Sequence, residues 1–459
     1  MGLLIKNGEI VTGDSRYRAD IYSEGETISQ IGVGLDVPPG TEVIDASDKY
    51  VFPGFIDPHV HVYLPFMSTF AKDTHETASI AALVGGTTTF IEMCCPSRLD
   101  DALAGYHLWK SKAAGNSACD YSFHMSVTKF GPETESQLRE IVADGINSFK
   151  IFLSYKGFFG VEDGEMYETM KLAKKLGVIV TAHCENAELV SRLQSNLLSE
   201  GRTGPEWHEP SRPESVEAEG THRFATFLEN TGATGYVVHL SCEPALSAAM
   251  SAKSKGAKLF IESVLPHFLL DKGYAERHGI EGMKHVMSPP LRDVRNQQAL
   301  WNALSAGFID TVGTDHCPFD KEQKLLGTDA FTQIPNGIPG IEERVNLLYT
   351  YGVKRGKLNL HRFVNVASTN AAKIFGMFPQ KGSIAIGSDA DLVVFDPKYR
   401  GTVSVKSQHT NNDYNGFEGM QIEGRPSVVT VRGRVQAIDG KFVGERGRGR
   451  QLKREPIYG

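Results

Sequence analysis

Between about Tyr50 and Gly376 the chain alternates short apolar runs with longer stretches of helical period, and nothing else in the sequence constrains the fold as strongly. Eight runs read as strands: Val51 to Val60, Thr87 to Met93, Asp120 to Val127, Ser148 to Leu153, Val178 to Ala182, Gly235 to Leu240, Lys258 to Val264 and Asp310 to Thr314. Eight strands with intervening helices over about 320 residues predict an α/β fold, a parallel (β/α)₈ barrel. An open doubly wound sheet is the alternative, but the glycine-rich first turn of a dinucleotide fold is missing.

Outside that segment the texture changes. Leu3 to Lys6, Glu9 to Val11, Ile28 to Ile31 and Glu42 to Ile44 read as short strands with turn punctuation such as Asn7-Gly8. The same texture returns in Ala390 to Phe395 and Ser427 to Val431. These runs predict a small β-sandwich domain built from both chain ends. Residues 1–52 and 377–440 would form it, residues 53–376 the catalytic barrel, and 441–459 a C-terminal extension.

The net charge of -7 argues against a nucleic-acid surface, which needs a basic excess. No window approaches ~18 consecutive apolar residues, so no membrane-spanning helix is expected. The start of the chain has no basic segment followed by an apolar run and a cleavage site, so the cytoplasm is the expected compartment. The six cysteines form no C-x-x-C pair and read as reduced thiols.

Ligand-type side chains gather where the barrel runs end. His59-Val60-His61 closes the first, and a spacing of two puts both imidazoles on one face of an extended segment, the geometry for two ligands to one metal. Alone the pair is weak, because 15 histidines give about half an H-x-H per chain by chance. His183 ends the fifth run, His239 the sixth and Asp315 the eighth. In a barrel these ends converge on the face that holds the active site, so the five residues point at one spot.

Lys150 lies inside the apolar fourth run. Facing a barrel interior it cannot snorkel to water, and desolvation favours its neutral, nucleophilic amine. Two chemistries are open: a Schiff base with a carbonyl substrate, or carbamylation by CO₂, which gives an anion able to bridge two metals.

Several runs carry a resemblance. Val51-Phe52-Pro53-Gly54-Phe55-Ile56-Asp57-Pro58-His59-Val60-His61 resembles the signature of the cyclic amidohydrolases. Ser148 to Gly157, Ser288-Pro289-Pro290-Leu291-Arg292, Thr314 to Phe319 and Pro335-Asn336-Gly337-Ile338-Pro339-Gly340 resemble the dihydropyrimidinase and hydantoinase branch. The likeness extends from the N-terminus to about Arg454. It implies that His59, His61 and Asp315 hold one divalent metal ion, that His183 and His239 hold a second, and that Lys150, N6-carboxylated, bridges both. Zn²⁺ is the first choice for such ligands, with Mn²⁺, Co²⁺ or Fe²⁺ as alternatives.

The resemblance further implies hydrolysis of a small cyclic amide or imide, a dihydropyrimidine or a 5-substituted hydantoin, to an N-carbamoyl amino acid. A metal-bridging hydroxide would attack, Asp315 would act as acid and base, and Tyr155 would bond the substrate oxygen. Ser288 and Asn336 match positions whose backbones grip the ring amides. Leu64, Phe66 and Phe159, in the loops Val62 to Lys72 and Ser154 to Val161, are candidate pocket residues for a ring substituent. The basic tail (Arg446, Arg448, Arg450, Lys453, Arg454) is expected to lie across a neighbouring subunit of a homodimer or homotetramer rather than on nucleic acid.

Neighbouring branches fit less well. Dihydroorotases carry an arginine where Tyr63 stands, and allantoinases lack a tyrosine at Tyr155. A catalytically inactive scaffold on the same fold would have lost metal ligands, and all six are kept here. One departure is Tyr63, where hydantoinases often carry an acidic residue.

Overall fold

The computed structural model describes residues 2–458. Its centre is a parallel barrel of β1 (Phe55–Val60), β2 (Thr87–Cys94), β3 (Asp120–Ser126), β4 (Ser148–Phe152), β5 (Ile179–His183), β6 (Thr234–Val237), β7 (Leu259–Val264) and β8 (Thr311–Gly313). Consecutive strands pair in chain order. The last meets the first where the Asp315 N–H donates to the His59 carbonyl at 3.0 Å and the His61 N–H to the His316 carbonyl at 2.7 Å. All residues of β1 to β5 are buried, as a parallel sheet covered on both faces requires.

The first predicted run divides in two. Tyr50–Pro53 pairs antiparallel with Leu392–Thr402 outside the barrel, and only Phe55–Val60 joins β2. Between them a Cβ on Gly54 would lie 2.1 Å from Thr88 Oγ1, so glycine is what lets the chain cross from one sheet to the other. The sixth run is also shorter than expected, ending at Val237 rather than Leu240.

Both chain ends build the β-rich domain. One sheet orders Thr27–Gly32, Asp20–Glu24, Gly2–Lys6 and Glu42–Asp45. A seven-stranded sheet carries Tyr50–Pro53 between Leu392–Thr402 and Glu9–Val11. Ile5, Ile21, Ile28, Val51, Leu392 and Val394 belong to its apolar core. Among the described residues no helix is long and apolar enough to cross a membrane.

The tail, expected on a neighbouring subunit, runs across the N-terminal face of its own barrel. The Tyr121 N–H donates to the Arg450 carbonyl at 3.0 Å, the Leu452 N–H to Tyr121 at 2.7 Å and the Arg454 N–H to Gly145 at 2.8 Å. Arg454 is fully buried, with Nε on Ser122 Oγ at 2.8 Å and Nη2 on Ser148 Oγ at 3.1 Å. An arginine stem has enough apolar length to plug a barrel end while its fork meets hydroxyls and carbonyls.

Candidate metal centre and active site

At the opposite face the six predicted ligand side chains come together. His59 Nε2 lies 3.1 Å and His61 Nε2 3.2 Å from Asp315 Oδ1, and the three form a cluster that could hold a metal ion. Beside it, His183 Nδ1 and His239 Nε2 face each other at 2.9 Å. The two groups adjoin, with the His59 and His239 rings 5.4 Å apart between centroids. The buried amine of Lys150 shares the same cavity with His61, His183, His239 and Asp315. His61 Nδ1, His239 Nδ1 and Lys150 Nζ are buried without a hydrogen-bond partner among the described residues. Orphaned polar atoms are costly in a core, and here they cluster.

Residues that local reading missed orient these ligands. Glu262 Oε1 lies 2.8 Å from His59 Nδ1 and accepts the His239 backbone N–H at 3.0 Å. With Nδ1 turned to Glu262, Nε2 is the nitrogen that His59 turns to Asp315 and the cluster. Glu185 Oε2 does the same for His183, 2.7 Å from Nε2, and is itself held by Arg212 Nη1 at 2.5 Å. A charged residue inside the apolar run Leu259–Val264 was the available signal for Glu262. Glu185, two residues past His183, offered only proximity.

The electrostatics favour a cation. Burial opposes protonation of His59, but Asp315 and Glu262 on either side of the ring outweigh it and raise its pKa to about 9. Burial lowers His61, His183 and His239, keeping them in the neutral form that ligates. Burial also opposes ionisation of Asp315, yet His59 and His61 hold it well below the usual carboxylate range. Burial brings Lys150 down to about 8.

Three site residues sit just past strand ends with positive φ: Tyr155 at 56°, His239 at 40° and Asp315 at 51°. Such conformations cost a non-glycine residue about 1–3 kcal/mol and aim side chains where a regular strand would not. Tyr155 packs against His183 and Phe66 at 5.5 Å, and the Arg212 guanidinium lies 5.3 Å over its ring. Burial raises its phenol, so the hydroxyl keeps its proton at neutral pH. Asn336 Nδ2 reaches Tyr155 Oη at 3.4 Å and Ser288 Oγ at 3.0 Å.

Leu64, Phe66 and Phe159 line the same cavity, joined by Phe152 and Cys317, which local reading did not single out. A second cavity of about 410 Å³ shares Phe66, Tyr155 and Asn336 with it and extends past Met67, Phe158 and Phe331. The six cysteines are all free and buried.

Fold and site together define a (β/α)₈ enzyme with a cluster of side chains that could hold a metal ion at the C-terminal mouth. The chain belongs to the amidohydrolase family, whose model matches residues 50–436. It is 43% identical over 456 residues to a D-hydantoinase of Geobacillus stearothermophilus, covering 99% of this chain and 97% of that one. A Caenorhabditis briggsae protein named dihydropyrimidinase 2 is 41% identical, with 99% and 89% covered. Among solved structures, a Thermus sp. D-hydantoinase (dihydropyrimidinase) superposes with a TM-score of 0.99 at 77% identity, covering 99% of this chain and all of that one. An L-hydantoinase from Arthrobacter aurescens superposes with a TM-score of 0.89 at 30% identity, covering 98% and 99%.

Proposed function

We propose that this chain hydrolyses the amide bond of cyclic amides, opening dihydropyrimidines or 5-substituted hydantoins to N-carbamoyl amino acids. The observation that carries this reading is the convergence of four histidines, Lys150 and Asp315, with unpartnered nitrogens among them, at the barrel mouth. A dead scaffold would have no reason to keep costly orphans together, and relatives named hydantoinase and dihydropyrimidinase support the substrate class.

The donor set fits two divalent ions. His59, His61 and Asp315 would hold one, His183 and His239 the other, with Lys150 as a carboxylated bridge. Zn²⁺ suits imidazole with carboxylate-type oxygens. When bound, the metals supply a Lewis acid for the carbonyl and lower the pKa of water.

The chain's own residues do the rest. Asp315 holds its carboxylate ionised and ready to take a proton from the attacking water, then returns it to the leaving ring nitrogen. Tyr155 Oη accepts from Asn336, which leaves its own proton free for the developing oxyanion. The backbones of Ser288 and Asn336 orient the ring by its amides. Leu64, Phe66 and Phe159 exclude water and receive the ring substituent. The assembly is a homodimer or homotetramer, with the tail's place on its own barrel leaving other surfaces for contact.

The test is ring opening of dihydrouracil, hydantoin, both enantiomers of a 5-substituted hydantoin, allantoin and dihydroorotate by metal-loaded protein. Opening of the first three classes with two metals per chain by elemental analysis is expected. Inertness toward all of them at full metal content overturns the reading, and preference for allantoin redirects it.

A further inference from the structure

Past Asp315 the chain forms a short helical turn, Lys321–Lys324, capped by Asp320. Its side chains reach two sets of neighbours. Lys72 Nζ pairs with Asp320 at 2.6 Å, and Gln323 Nε2 donates to Thr69 Oγ1 and the Phe70 carbonyl, each at 2.7 Å. Lys324 turns the other way and is fully buried. Its ammonium donates to the carbonyls of Val286 at 2.9 Å, Pro335 at 2.6 Å and Gly337 at 2.8 Å.

Three donors meet three acceptors, so the group is saturated. The acceptors are what make it informative. Val286 lies two residues before Ser288, while Pro335 and Gly337 flank Asn336. The Gly337 N–H also donates to the Val286 carbonyl at 2.9 Å, and Asn336 Nδ2 reaches Ser288 Oγ. One buried cation therefore binds the two segments that present Ser288 and Asn336. Burial opposes the charge and brings the pKa of Lys324 down to about 7, and an apolar side chain would suffice if this wall needed only to be packed.

We propose that Lys324 is a positioning residue that fixes the separation of the Ser288 and Asn336 backbones and so sets which ring size the site accepts. This rests on the reading of the cavity as a ring-amide site. Hydantoin and dihydrouracil differ by one carbon between the cleaved carbonyl and the far ring nitrogen. A grip made of two backbone segments discriminates between them by its spacing, and Lys324 holds that spacing without touching substrate.

The experiment measures kcat and KM of wild type and Lys324→Met on hydantoin and dihydrouracil, with metal content and thermal melting recorded for each. Lys324→Met should keep its metals, raise KM about 10-fold on at least one ring and shift the ratio of the two kcat/KM values about 5-fold or more, with kcat on the better ring changing less than about 3-fold. A merely structural role lowers the melting temperature and depresses both rings alike, so a ratio constant within about 2-fold overturns the proposal. If the methionine variant does not fold, Lys324→Arg is measured instead. It keeps a cation, and its wider fork should still shift the ratio. An unchanged ratio, or failure of both variants to fold, assigns Lys324 a structural role and overturns the proposal. A wild type inert toward both rings overturns the ring-opening reading itself, a distinct result.

Discussion

At the N-terminal face of the barrel Lys381 sits buried among Asp120 at 2.6 Å, Asp389 at 2.8 Å and Asp391 at 2.8 Å, with Arg432 also on Asp120. At the C-terminal face Lys150, equally buried, has no hydrogen-bond partner among the described residues, only the Phe152 ring 4.9 Å from its Nζ. Two lysines of the same burial thus stand in opposite circumstances, one surrounded by carboxylates and the other set among imidazoles. The N-terminal cluster joins barrel, β-rich domain and tail, since Arg450 N–H also donates to Asp120. Each carboxylate there has a cation in contact. The C-terminal cluster leaves polar atoms unmatched and three residues at positive φ, which is how a protein holds groups ready for a ligand.

The sharpest way to break this contrast is Lys150→Ala. Activity should fall by at least about 10³-fold, and elemental analysis should find the metals gone with it. Short carboxylic acids should partly restore both by standing in for the bridge. Borohydride trapping of a covalent substrate adduct on wild type would instead make Lys150 a Schiff-base lysine and end the two-metal reading.

Tyr155→Phe probes the same face more gently. Removing one oxyanion donor should lower kcat by roughly 10²- to 10³-fold, about 3–4 kcal/mol of transition-state stabilisation. Metal content and melting temperature should hold, because the hydroxyl neither ligates nor fills the core. A variant retaining more than about a third of wild-type kcat when fully loaded would remove Tyr155 from the mechanism.

At the other face the effect should move from rate to stability. Lys381→Ala leaves Asp120, Asp389 and Asp391 facing one another and should cost about 3 kcal/mol or more, read by denaturant unfolding. The kcat of folded, metal-loaded enzyme should stay as it was. The pH dependence follows from the shifts. Burial opposes ionisation of Asp120, but Lys381 and Arg432 hold its pKa below the usual value. Its contribution is present above the unfolded pKa of about 3.9 and lost as pH falls through the folded one. Burial also opposes the charge on Lys381, yet Asp391 and Asp120 raise its pKa. That contribution is full below about pH 10 and lost as pH rises past the folded value. Burial pushes the Asp391 carboxyl up, and the neighbouring Asp120 carboxylate adds to the rise. The difference in stability between wild type and Lys381→Ala should therefore be widest between about pH 4 and pH 10.

The smallest effect is expected from Glu185→Gln, which keeps shape and removes the charge behind His183. Metal affinity should weaken about 10- to 100-fold in competition with a chelator, with little loss of kcat once the site is saturated. An unchanged affinity would mean that Arg212 and Glu185 serve only packing.

Much of the barrel was legible because short apolar runs separated by helical stretches leave few arrangements, and chain order then dictates which strand ends meet. His59, His61, His183, His239 and Asp315 could be placed at one mouth for that reason alone. Boundaries were less secure. Val51 to Val60 reads as one apolar run, yet Gly54 hands its two halves to different sheets. His239 lies beyond the end of β6, and its positive φ leaves no local signature in a non-glycine residue.

What the sequence by itself determined is a parallel α/β barrel, a β-rich domain drawn from both ends and the residue types gathered at the mouth. Only the tertiary structure decided the partners that hold them. His59 meets Glu262 across 203 positions, Lys381 meets Asp120 across 261, and Arg454 enters the barrel 332 positions after Ser122. Strand periodicity arises from the backbone's own repeat and can be read locally. The pairing of buried charges depends on which distant segments the closed barrel brings within hydrogen-bond reach, and a buried polar group registers only the neighbour it finally touches.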